Sequence, residues 1–115
     1  MQIFKGIVQK GSQRGSALGF PTINIALADP EISGIYAARV VVGGRIYQAA
    51  AFADQKRSVL EAHILDANLN LYGKEITIEL LKKIRESKMF SNDNDLRAAI
   101  ADDIQKIHEY FLKEI

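Results

Sequence analysis

Ile35-Tyr-Ala-Ala-Arg-Val-Val-Val-Gly-Gly-Arg-Ile-Tyr-Gln-Ala-Ala-Ala-Phe-Ala53 is the stretch on which the fold turns. Two β-rich runs flank Gly43-Gly44, and both glycines accept the positive φ that a two-residue hairpin demands. The same period of two extends outward in both directions, broken by glycine and polar punctuation. It predicts strands over Ile3–Gln9, Thr22–Ala26, Ile35–Val42, Arg45–Ala53, Ser58–Leu65 and Ile76–Lys83. Ala49, Ala50 and Ala51 weaken the fourth of these, because alanine has low β propensity and leaves helix as a competitor.

The carboxy-terminal part changes period. Leu96, Ala99, Ile100, Asp103, Ile104, Ile107, Tyr110 and Phe111 recur at helical spacing, with charges opposite them. Asn92, Asp93 or Asn94 is placed to cap this helix, and Asp93 and Asp95 suit the positive end of its dipole. One amphipathic helix beside six short strands has to pack on a sheet or plug a barrel, and closure of the strands removes exposed edges. The reading is therefore mainly β: one domain over 1–115, a barrel over about 2–84 and a helix over about 93–113. No repeat or linker divides it.

Composition narrows the chemistry. A chain of 115 residues that is 48% apolar can bury a core without staples. It has no cysteine, which excludes a disulfide framework, thiolate zinc sites and cysteine nucleophiles. Two histidines, His63 and His108, do not make a histidine-rich metal site. A formal charge of +1 gives no electrostatic case for nucleic acid or an anionic membrane. No apolar run approaches the roughly 18–20 residues of a membrane span, and Met1 to Gly6 lacks a signal-peptide stretch, so a cytoplasmic monomer is expected.

Three groups of residues point to chemistry. Between the first two strands, Gly11, Gly15 and Gly19 punctuate a polar stretch that also holds Lys10 and Arg14. Such glycines let backbone N–H groups approach a phosphate, although by itself the stretch reads equally as a long connection. It is neither a P-loop nor a Rossmann fingerprint. Thr22 and Asn24 stand two apart on a strand, with Cβ atoms about 6–7 Å apart on one face. Their oxygens are hard donors suited to magnesium, or simply part of a solvated face. Glu61 and His63 repeat that spacing on the fifth strand. Apolar residues on both faces leave Glu61 either a partly buried carboxylate poised to take a proton or a solvated strand residue. His63 has no second ligand at useful spacing and reads as a hydrogen-bonded structural residue.

Taken together these residues resemble the riboflavin kinase family, both the stand-alone kinases and the kinase half of bifunctional bacterial FAD synthetases. The most specific element is Arg-Gly-Ser-x-Leu-Gly-Phe-Pro-Thr-x-Asn, here Arg14 through Asn24. Gly34-Ile-Tyr36, Leu60-Glu-Ala-His-Ile64, Leu71-Tyr-Gly73 and Ile84-Arg85 follow in the family's order, then Phe90, Leu96, Ile100 and Asp103 at its spacing. The resemblance implies a six-stranded antiparallel Greek-key barrel with a carboxy-terminal helix. It also implies transfer of the γ-phosphoryl of ATP to the 5′-hydroxyl of riboflavin, giving FMN. Nucleotide-binding residues would be Gly11, Arg14, Gly15, Gly19, Thr22 and Asn24. Thr22 and Asn24 would hold Mg2+, Glu61 would be the general base, and Arg85, Ser87 and Phe90 would bind the flavin.

Phosphoryl transfer asks a protein mainly for positioning and charge neutralisation, so this small set is chemically sufficient. The sequence departs from the family pattern in places. Phe52-Ala-Asp54-Gln-Lys-Arg57 is shorter than the usual Asn-x-Gly-x-x-Pro-Thr segment, and Arg85 is followed by Glu86 and Ser87 instead of x-Glu. The adenylyltransferase part of the bifunctional enzymes is absent from the chain. The competing expectation is a catalytically weakened module of the same fold that binds flavin or nucleotide.

Overall fold

The computed structural model describes residues 2–10 and 14–113. In chain order its elements are β1 (Gln2–Ile7), α1 (Arg14–Ala17), β2 (Ile23–Ala26), β3 (Gly34–Val42), β4 (Arg45–Asp54), β5 (Val59–Ile64), β6 (Glu75–Arg85) and α2 (Asp93–Lys113). All six expected strands form, with ends displaced by one to two residues at most places, and α2 has the expected bounds. One element goes unforeseen, the single turn α1, because glycine-rich polar sequence carries no helical period.

The strands form one antiparallel sheet in the order β1-β6-β3-β4-β5-β2. β3, β4 and β5 meander, and β6 returns to lie against the far edge of β3, which is the Greek-key arrangement. The ends of the sheet nearly meet. Past β1, the Gln9 N–H donates to the Asn24 carbonyl of β2 at 2.8 Å. At the same seam, a Cβ on Gly6 would stand 3.1 Å from that of Ile25.

The barrel interior takes the inward residues of every strand but β1, among them Ile25, Val40, Leu60, Ile76 and Ile78, with Phe4 of β1 packed against them. A second cluster lies outside the barrel, where Ile107 and Phe111 of α2 cover Ile35, Ala37 and Ala50. This explains the alanine run. Ala49 and Ala51 face the interior, Ala50 faces α2, and all three are fully buried. The run is enclosed on both faces, by the barrel interior and by α2, so tertiary packing overrides the weak propensity. Asn92 caps α2, its Oδ1 accepting the Asp95 N–H at 2.9 Å.

Gly34 opens β3 where β6 ends. It adopts φ +93°, and a Cβ there would stand 2.5 Å from the Arg85 carbonyl oxygen. Gly34→Ala is expected to destabilise the protein by about 2 kcal/mol or more, since the left-handed penalty alone is roughly 1–2 kcal/mol and the overlap adds to it. Urea unfolding monitored by circular dichroism measures the loss; an unchanged midpoint would contradict the close approach.

Candidate active site

The site is built on the outer face of the barrel. Leu60, Ala62 and Ile64 face the barrel interior, so by period two Glu61 and His63 point outward. Register then decides the neighbours: Glu61 pairs with Asn24 of β2 on one side and Phe52 of β4 on the other. Thr22, immediately before β2, lies two residues from Asn24 and hydrogen-bonds the Glu61 carboxylate through its side chain. The three residues read separately from the sequence thus meet on adjacent strands.

Two cavities adjoin there. The larger, about 530 Å³, lies between the barrel and the first turns of α2. Its walls are mostly apolar: Phe20, Ile35, Phe52, Phe90, Leu96 and Ile100, with Thr22, Glu61, Arg85 and Ser87 among the polar residues. The smaller, about 380 Å³, is bounded by Val8 to Lys10, Ser16, Thr22, Asn24 and the Leu69–Tyr72 connection. Thr22 borders both. Asn24 is buried, and its Oδ1 has no hydrogen-bond partner. A buried acceptor left bare is costly unless a ligand satisfies it.

Glu61 retains 20% of its side-chain exposure. Burial pushes its carboxyl above the ordinary 4.5; the Arg57 guanidinium, with Nη1 3.7 Å from Oε1, opposes the rise, Asp54 adds to it, and the Thr22 hydrogen bond lowers it. The His63 Nδ1–H donates to the Pro21 carbonyl at 2.8 Å, and its ring meets Phe20 edge to face. His63 therefore holds the Phe20–Pro21 segment that leads into Thr22.

The remaining candidates divide. Gly19 takes φ +92° in the turn after α1, where its N–H donates to the Ser16 carbonyl. Arg14 and Gly15 contribute backbone to α1, and Gly11 lies outside the described residues. Ser87 and Phe90 line the larger cavity, as a flavin-side assignment needs. Arg85 also borders it, but as the last residue of β6, with its guanidinium engaged by Asp103 of α2. The segment Phe52–Arg57 is the end of β4 and a tight turn, in which Asp54 Oδ1 accepts the Arg57 N–H and Gln55 reaches the Asp29 carbonyl. The segment Phe52–Arg57, singled out in the sequence as altered from the family pattern, supplies Phe52, Asp54 and Gln55 to the wall of the larger cavity. Sequence reasoning missed Leu69 and Asn70 of the smaller one. Among the described residues no three of His, Asp or Glu cluster to hold a metal, and no helix is long and apolar enough to cross a membrane.

A mainly β Greek-key barrel bearing an apolar cavity and a more polar one, joined at Thr22 beside the Glu61 carboxylate, is the class of protein these features define. The chain belongs to the riboflavin kinase family, whose description (Flavokinase) matches residues 2–111. It is 37% identical over 119 residues to a trifunctional protein RibF/MnmA of Mycoplasmoides gallisepticum, with 96% of this chain and 18% of the relative covered. It is 33% identical to a bifunctional riboflavin kinase/FMN adenylyltransferase of Bacillus subtilis, covering 93% of this chain and 38% of that protein. Among solved structures, riboflavin kinase from Trypanosoma brucei superposes with a TM-score of 0.67 at 25% identity, over 96% of this chain and 80% of that one. The chain thus spans less than two fifths of the curated relatives named here.

The raised Glu61 carboxyl has a defined consequence for stability. Its folded-state value exceeds the ordinary 4.5, so its stabilising contribution is complete below that pH and is lost as pH rises through the folded value. Glu61→Gln is therefore expected to raise the melting temperature slightly near pH 7 and to leave it unchanged well below pH 4.5. Thermal unfolding across that range checks this; a variant destabilised at pH 7 would show that the Arg57 and Thr22 contacts outweigh burial.

Proposed function

We propose that this chain is an ATP-dependent riboflavin kinase domain that makes FMN, with riboflavin in the larger cavity and the nucleotide in the smaller. The observation that carries the reading is the position of Thr22 and Glu61, where the apolar cavity meets the polar one. An isoalloxazine ring matches walls of Phe20, Phe52 and Phe90, and its ribityl chain then extends toward Glu61. The triphosphate approaches from the side of Lys10, Ser16 and Gly19, bringing its terminal phosphoryl to the same junction.

The 5′-hydroxyl is protonated at neutral pH and must release its proton as the phosphoryl arrives. Glu61 is the base of this reading: half-shielded, raised by burial, and bonded by Thr22 so that one carboxylate edge is fixed. Thr22 and Asn24 fit a magnesium ion, because the bare, buried Asn24 Oδ1 needs a partner and the Thr22 oxygen keeps lone pairs while donating to Glu61. Held there, magnesium would supply charge neutralisation for the phosphate groups of the nucleotide. The competing reading, a binding module without turnover, draws on the short β4–β5 turn. Retention of Glu61 beside the metal-binding pair favours the kinase.

Incubation with riboflavin, ATP and magnesium, followed by chromatographic separation of FMN, tests the function; no FMN would leave the binding module. Glu61→Gln should lower turnover by about 10²–10⁴-fold while flavin and nucleotide still bind. Near wild-type turnover in that protein would make Glu61 structural. Asn24→Ala should weaken the magnesium dependence of FMN formation in a folded barrel, and an identical magnesium titration would remove Asn24 from the metal site.

A further inference from the structure

Asp103 is a fully buried carboxylate in the middle of α2, on the face that carries Ile100 and Ile107 against the barrel. Its side chain is 1% exposed, and it meets Arg85 in a two-pronged pair. Arg85 Nε donates to Oδ1 at 2.8 Å and Nη2 to Oδ2 at 2.7 Å. The third nitrogen, Nη1, donates to the Glu86 carbonyl at 3.1 Å. The guanidinium carbon also lies 5.8 Å from the centre of the Phe90 ring. Every nitrogen of Arg85 is therefore bonded within the protein, and the residue it carries, Phe90, is a wall of the larger cavity.

We infer that Asp103 is a positioning residue for the flavin: it aims Arg85, and Arg85 fixes the Glu86 carbonyl and the Phe90 ring, hence the wall made by Ser87 and Phe90. Three of the five N–H donors of Arg85 are used in this way, and its effect on the ligand runs through the wall at Ser87 and Phe90. The inference rests on the flavin occupying the larger cavity. Its physical basis is the planar fork of arginine, which meets both carboxylate oxygens, a carbonyl and an aromatic face in one fixed geometry. A buried pair of this kind is weak evidence for stability, since apolar replacement of both partners is often neutral, whereas removing one partner strands a charge.

The test uses the double variant Arg85→Met with Asp103→Leu, which removes both charges together. In a protein of wild-type circular dichroism, kcat/KM for riboflavin should fall roughly ten- to a hundredfold through KM, as expected for a misplaced wall. The KM for ATP should stay within about twofold. Riboflavin fluorescence quenching in the presence of magnesium ADP should show the matching rise in Kd. A folded double variant with wild-type riboflavin affinity, or with ATP and riboflavin KM raised alike, would overturn the inference. Should the double variant fail to fold, Arg85→Lys takes its place, keeping the charge beside Asp103 but lacking the fork for Glu86 and the plane for Phe90. It should give the same selective loss, and wild-type flavin binding in it would likewise overturn the inference. Absence of FMN from the unmutated chain would sink the kinase reading alone, because the quenching titration still decides whether Asp103 positions the flavin wall.

Discussion

The constraint on which this architecture depends is that β3 and β4 are covered on both faces. A six-stranded barrel of short strands buries its interior, where Val40, Leu60 and Ile78 lie fully enclosed. Here α2 also takes the outside, laying Ile107 and Phe111 over Ile35, Ala37 and Ala50. Small residues at 37 and 50 let the helix approach, and burying these side chains contributes on the order of 1.5–3 kcal/mol for each large one. Because the helix covers only part of the outer surface, a gap remains beyond its first turns, between Leu96 and Ile100 on one side and β5 on the other. The site lies in that gap.

That placement sets the chemistry. Outward residues of a barrel strand are ordinarily solvated, yet Glu61 and Asn24 are shielded because loops and α2 wall the surface around them. The same shielding raises the Glu61 carboxyl and leaves the Asn24 oxygen bare. His63, on the same strand face, is committed to the Pro21 carbonyl, which fixes the backbone that presents Thr22. A strand pair, a proline segment and a histidine thus hold the junction of two cavities on a rigid frame, while their outer walls come from loops, an arrangement suited to sites that admit substrates.

Much of this was legible in the chain. The Gly43-Gly44 hairpin, the six strands and α2 follow from period and turn chemistry, which are local. That Glu61 and His63 share one face of β5 was legible too, but not which face, because Val59 and Leu65 lie on theirs and Leu60, Ala62 and Ile64 on the other. What the alternation does not carry is register: that Glu61 faces Phe52 depends on the turn joining β4 to β5, and that it faces Asn24 depends on a strand far earlier in the chain. The alanine run shows the same gap, for its strand conformation follows from burial on two faces and not from its own preference. Arg85 is the instructive case. It borders the larger cavity, and its partner is Asp103 eighteen residues on, across the helix interface. Helical spacing put Asp103 on the apolar stripe without saying what it would meet there.

The charge arrangement around the two cavities follows from those contacts. Asp103 and Arg85 neutralise one another beside the apolar cavity, and Arg85 and Lys88 both lie against the Phe90 ring of its wall. At the other end, Glu61 is the carboxylate at the junction, balanced by Arg57 and bonded by Thr22. The two ligands proposed for magnesium, a threonine hydroxyl and an asparagine carbonyl, carry no charge. In the proposed reaction a cation held by neutral oxygens would keep its full charge for the phosphates, and Glu61, with Asp54 close by, would take the hydroxyl proton. Had Asn24 been an aspartate, its charge beside Glu61 across the β2–β5 pair would have disfavoured ionisation of both, drawing the base and the metal site into one shared titration. The neutral amide at that position keeps the two roles separate.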